Sequence, residues 1–294
     1  MIGENISLYG VPVPPCTTFV LTGSPPVRKR NLRTNNLKGT TMTPKRLTFA
    51  IPLIFALPAC LPAQVTVLTS GGFSAAYQEL LPQFEKSTGI TVTTMRGASQ
   101  GDGPTTIDAE LRRGQAADVV ILSREGLAEL SAEGRIVPGS DVDLASVPLG
   151  VGVRSGTPDP DISTVNAFKQ TLLQANSIGI QSTSGIYLKT TVFPQLGIAG
   201  PLVDKLSDAA SADVASGKVE MVVLPVSEIL PVRGVDFVGT IPADLQFVQV
   251  LAAAVVKGAK NPEAAKRLID FLASEKATPT VEKTGMERPG LGAR

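Results

Sequence analysis

Residues 65–85 read VTVLTSGGFSAAYQELLPQFE. A short β-branched and apolar run passes through Ser70-Gly71-Gly72 directly into a stretch whose apolar residues recur at helical spacing. A helix N-terminus leaves backbone N–H groups without intrahelical partners and carries the positive end of the helix dipole. Small residues ahead of it let an anion approach those amides. The unit reads as a sheet strand whose following loop can meet a small anion.

The rhythm continues down the chain. Runs at 90–95 and 118–122 read as further strands, and stretches at 105–113 and 124–133 as helices, with Gly89, Gly114 and Gly134 as left-handed C-caps. Alternating β and α signals imply a mostly parallel sheet flanked by helices, an α/β fold. The rhythm pauses near residues 141–148 and restarts with strands at 149–154, 178–180 and 221–224 and helices at 165–173 and 185–196, where Pro194 should end or kink the last. A long apolar run at 247–256 precedes a helix opened by Asn261 as N-cap and Pro262 at its first position. An α/β unit that starts and stops inside a larger one implies an inserted lobe. Residues 147–233 form that second lobe, 64–146 and 234–294 together form the first, and the ligand cleft lies between them.

Residues 1–63 read as a leader, an upstream extension followed by a signal peptide that begins near Met42. Lys45-Arg46, an apolar run at 47–59 and Leu61-Pro62-Ala63 place cleavage after Ala63 and the protein in the periplasm. The run is too short for a membrane-spanning helix. Lipid attachment at Cys60 is the less favoured alternative, because Pro58 fits such a box poorly. Both cysteines, Cys16 and Cys60, precede Gln64, which excludes a disulfide or thiolate metal site beyond it. Seven of the 27 basic and one of the 26 acidic residues also precede Gln64, so the rest carries 20 basic and 25 acidic residues, a formal charge of −5. A nucleic-acid partner is excluded on that balance. Anions must be held by local dipoles and hydrogen bonds.

The chain has no histidine. That removes the Ser-His-Asp triad and histidine metal sites. No metal and no cofactor is expected. Gly97-Ala98-Ser99-Gln100-Gly101 has the spacing of a nucleophile elbow, but Pro104 delays the helix and no base is present. Three loops fall at strand carboxyl ends and supply the candidate ligand-binding residues: Ser70, Gly71 and Gly72; Gly101, Asp102 and Thr105; and Ser182, Ser184, Gly185 and Tyr187. Ordinary helix capping is the competing role for each hydroxyl. Arg96, Arg154 and Lys189 are the cations closest to predicted strand ends or the third loop.

The chain from Gln64 onward resembles the periplasmic solute-binding proteins of the molybdate-binding type, through VTVLTSGG, RRGQAADVVILS, SGIYLKTTVFPQLGI and NPEAAKRLIDFLAS. The resemblance implies a type II two-lobed fold, a small anionic ligand, a monomer, and a membrane ABC permease as partner. It departs where that family holds its oxyanion: Gly72, the Pro104–Thr105 pair and Leu224 stand where serines and a tyrosine are expected. GDGPTTI, RSGTPDPDISTVNAFKQTL and STSGIYLKTTVFPQL are similar to a subgroup that includes periplasmic aconitate isomerases. Those relatives move a double bond within a tricarboxylate, which requires a group that removes and returns a proton. The candidates here are Tyr77, Tyr187, Lys189, Glu79 and Asp102. Capture of a molybdate-like oxyanion or a di- or tricarboxylate for an ABC importer ranks first, and isomerisation of cis- and trans-aconitate second.

Overall fold

Alternation builds the first layer. Val65 and Val67 project from the strand Gln64–Thr69 (β1) to one face and Leu68 to the other, and all three are fully buried. Both faces of the sheet are therefore covered, as the helical crossovers between parallel strands require. The computed structural model describes residues 63–289. The leader, Met42, Cys60 and the residues before the proposed cleavage after Ala63 lie outside that range.

The first sheet adds β2 (Thr91–Arg96), β3 (Val119–Ser123), β4 (Val142–Val147) and β10 (Gln249–Val255), in the order β2-β1-β3-β10-β4. The second holds β5 (Leu149–Arg154), β6 (Ile178–Gly179), β7 (Leu206–Ser207), β8 (Met221–Pro225) and β9 (Val235–Thr240), in the order β7-β6-β8-β5-β9. Each sheet is mixed. In the first, β10 runs antiparallel to both neighbours, and in the second β5 does. These are the strands that follow each passage between lobes. A chain leaving one sheet at its carboxyl edge enters the other at its carboxyl edge too, so the receiving strand must run backwards.

Pairing of β9 with β5 corrects the expected boundary, because residues 235–240 belong to the second sheet and not to the returning first lobe. The return passage is 241–248. Gln246 ties it to the outgoing one: its Oε1 accepts from Leu149 N–H at 2.8 Å and its Nε2 donates to Leu149 O at 3.0 Å. The pause at 141–148 contains a true strand, β4, whose ladder to β10 shifts register between Leu251 and Ala252.

Helix boundaries follow local chemistry. Gly89, Gly114 and Gly134 all take positive φ. Asn261 does not cap with its side chain; its amide N–H bonds Asp118 Oδ1 at 3.1 Å and its Nδ2 bonds Gln64 O at 2.7 Å. The helix expected at 185–196 begins at Ser182. It reaches Leu196 through a π-helical turn at Leu188–Val192, next to Pro194, whose missing N–H breaks the regular bond pattern.

Candidate functional site

Loops at the carboxyl ends of β1, β2, β6, β7 and β8, with the start of β10, enclose a cavity of about 900 Å3 between the two sheets. From the first lobe come Ser70, Gly71 and Gly72, then Gly101, Asp102 and Thr105. From the second come Ser182, Ser184 and Gly185, with Lys189 one helical turn on. Nine of the ten candidate ligand-binding residues thus stand on one wall system. Tyr187 does not: its hydroxyl donates to Leu245 O at 3.3 Å and its ring stacks on Phe247 in the second lobe's core.

Tyr77 is also away from the cavity. It is buried in the first lobe's core and its hydroxyl lies 2.8 Å from Thr94 Oγ1. Burial pushes this phenol up to about 12. The signal was present in the sequence, since Phe73, Tyr77, Leu80 and Phe84 form one helical stripe and all are buried. Among the cations, Arg96 and Lys189 line the cavity. Arg154 does not, because β5 runs away from the cleft and carries Arg154 to its far end. Ser99 of the G-x-S-x-G stretch is buried, with its hydroxyl accepting from Ser123 N–H at 3.0 Å, a structural role.

The two glycines of the first loop are small for two different reasons. A side chain at Gly72 would meet Leu251 Cδ2 at 2.8 Å, from the floor of the same lobe. A side chain at Gly71 would collide with the carboxyl of Glu228, from the opposite lobe. Among the described residues, the amides of Gly71 and Gly72 donate to no protein group. Ser70 Oγ and Gln249 Oε1 are buried at the cavity without hydrogen-bond partners. Such atoms cost stability unless something outside the chain completes them. Ser184 differs, since its hydroxyl already donates to Gln181 O at 2.9 Å.

Three hydrogen bonds cross between lobes beside the cavity. Gln100 N–H donates to Ser182 Oγ at 3.1 Å, the hydroxyls of Ser123 and Thr183 lie 2.8 Å apart, and Ser227 Oγ donates to Gly72 O at 2.7 Å. Ser182 is the sole non-glycine with positive φ among the described residues, at 49°, and this conformation aims its hydroxyl at the other lobe.

Glu228 and Gln249 are the residues that sequence reading missed. Glu228 follows β8, whose carboxyl end meets the cleft, so the rule that selected the other three loops would also have selected Pro225-Val226-Ser227-Glu228. Its carboxyl makes no hydrogen bond or ion pair among the described residues. Enclosure between the lobes pushes it up from the usual 4.5 to about 7.

A profile of the bacterial extracellular solute-binding protein family matches residues 65–287. The chain belongs to this family. One relative of this solute-binding protein is an aconitate isomerase of a Pseudomonas species, 36% identical over 246 residues, covering 82% of this chain and 93% of the relative. Another is the molybdate-binding protein ModA of Azotobacter vinelandii, 26% identical over 254 residues, covering 82% and 96%. The solved periplasmic molybdate-binding protein of Azotobacter vinelandii superposes with a TM-score of 0.64 at 21% identity, covering 76% of this chain and 99% of that one. The two-lobed architecture is common to both structures.

Proposed function

We propose that this protein closes its lobes around a di- or tricarboxylate and moves a carbon–carbon double bond within it, interconverting cis- and trans-aconitate. The observation that carries the reading is the interlobe cavity, with Arg96 from one lobe and Lys189 from the other on its wall. A volume of about 900 Å3 admits an organic polyanion, and the two separated cations, more than the volume, favour one with several carboxylates. A polycarboxylate can engage cations of opposite lobes at once, so its binding favours the closed arrangement. Free amides at Gly71 and Gly72 and the unpaired Ser70 hydroxyl add neutral donors of the kind anion sites use. Likeness to the Pseudomonas aconitate isomerase along nearly its whole length supports the same chemistry. This reverses the ranking from sequence, which named Arg96, Arg154 and Lys189 as cations near the loops but had no shifted carboxyl to set beside them in the cleft.

Capture alone is the second reading: a periplasmic, exported carrier that delivers its anion to an ABC permease. Membership of the extracellular solute-binding family supports it. One experiment separates the two. Calorimetry with molybdate, tungstate, sulfate, phosphate, citrate and both aconitates should give heat with the carboxylates and none with the oxyanions. Incubation with trans-aconitate should then yield cis-aconitate catalytically; binding without conversion would return the protein to the carriers. Ser70→Ala should weaken aconitate binding by about 1.5–3 kcal/mol, roughly ten- to hundredfold, because a charge-bearing ligand loses a donor. Ser184→Ala should cost less, since that hydroxyl is already spent on Gln181. Equal losses in the two variants would count against this assignment of donors.

A further inference from the structure

Resting on that isomerase reading, we infer that Glu228 is the catalytic acid–base, the single carboxyl that takes a proton from the substrate and returns it. The groups the sequence offers for this task are placed otherwise. The Tyr77 hydroxyl is buried against Thr94, and that of Tyr187 is bonded to Leu245 O. Glu79 pairs with Lys283 at 2.9 Å on the surface. Asp102 and Lys189 reach the cavity, but both residues are exposed to solvent.

Glu228 differs in each respect. It stands on the second lobe, yet its Cδ lies 2.8 Å from the position a Cβ would take on Gly71 of the first. The carboxyl is therefore in place only when the lobes are together, the state in which the ligand is enclosed. It borders the cavity and no protein donor occupies its oxygens among the described residues. Half-buried between the lobes and without a compensating donor, it is pushed up to about 7, where one group can both accept a proton and give it back.

The step balances with this one group. The carboxylate of Glu228 removes a proton from the substrate methylene, and the C–H electron pair joins the adjacent double bond and its conjugated carboxylate as a delocalised carbanion. The carboxylic acid of Glu228 then delivers the same proton to the former vinylic carbon. One C–H bond breaks, one forms, the double bond moves by one carbon, and nothing is oxidised or reduced. Arg96, Lys189 and the free amides of Gly71 and Gly72 are the groups able to stabilise the negative charge that develops.

The test uses the whole protein and both aconitates. Glu228→Gln should abolish turnover, with a fall of at least about a thousandfold in kcat, while aconitate still gives binding heat within a fewfold of wild type. Glu228→Asp should keep partial turnover. Its pH profile should still rise with one deprotonation, but with a midpoint displaced from that of wild type, because the shorter side chain sits differently between the lobes. Arg96, Asp102, Glu129, Lys189 and Asp208 are the other charged groups on the wall, and a profile unchanged in Glu228→Asp would assign the deprotonation to one of them and overturn the inference. So would an active Glu228→Gln beside an active wild type. A wild type that binds aconitate without converting it would overturn the isomerase reading and this inference together.

Discussion

Glu228→Gln is expected to stabilise the protein at pH 8 and to leave it unchanged near pH 4. The carboxyl titrates at about 7 in the folded state against the usual 4.5 when unfolded. Between those values the folded protein holds a proton that the unfolded chain has released, so stability falls as pH rises through the window. Above it, both states are ionised and the full penalty applies. A separation of this size corresponds to about 3 kcal/mol, or roughly 6–12 °C in Tm for a domain this long. Glutamine keeps the shape and hydrogen-bonding reach but cannot ionise, so the penalty disappears. Melting curves of both proteins from pH 4 to 8 check this. Parallel curves would mean that the carboxyl is solvated in solution. A stabilising substitution that removes turnover is what a group held against its own solvation for catalysis predicts.

Arg288→Met should be among the most destabilising single changes outside the cavity. Arg288 is buried, and its guanidinium donates to Leu144 O at 2.7 Å, Leu272 O at 3.0 Å, Ser274 O at 2.8 Å and Thr278 Oγ1 at 3.1 Å. Two of those carbonyls end the helix Pro262–Ala273 and its cap, where the last C=O groups have no intrahelical partner. The third lies on β4, beside the rung in which Ser146 and Glu287 exchange both backbone bonds at 2.8 Å. One side chain therefore fastens the C-terminal segment, a helix end and the strand leading to the lobe crossing. Methionine fills the stem's space but leaves these acceptors dry, at a cost of about 3–5 kcal/mol. Urea denaturation would measure it, and a loss below about 1 kcal/mol would show that water replaces the guanidinium.

Arg288 does not announce itself along the chain, and Glu228 does so only as part of a loop at a strand's carboxyl end. Arg288 sits in ERPGLG and Glu228 in VSEIL, stretches the sequence reading did not single out. Each owes its role to segments far away in sequence, Glu228 to Gly71 and Arg288 to Leu144. The tyrosines err in the opposite direction. Both stand just inside helices after candidate loops, but the face a helix turns to its sheet decides where a phenol goes, and that face led each into a core.

What the sequence determined by itself is whatever local physics decides. Apolar runs of strand length, helices closed by positive-φ glycines, and Gly/Ser/Thr loops at strand ends were legible because propensity and capping act within a few residues. From these came the two-lobed α/β fold and nine of the ten loop residues that border the cavity. The reversal of β5 and β10, the place of β9 in the second sheet and the enclosure of Glu228 against Gly71 were decided by tertiary structure alone. Strand direction depends on which edge the chain enters. The proton affinity of a carboxyl depends on how much water its distant neighbours exclude.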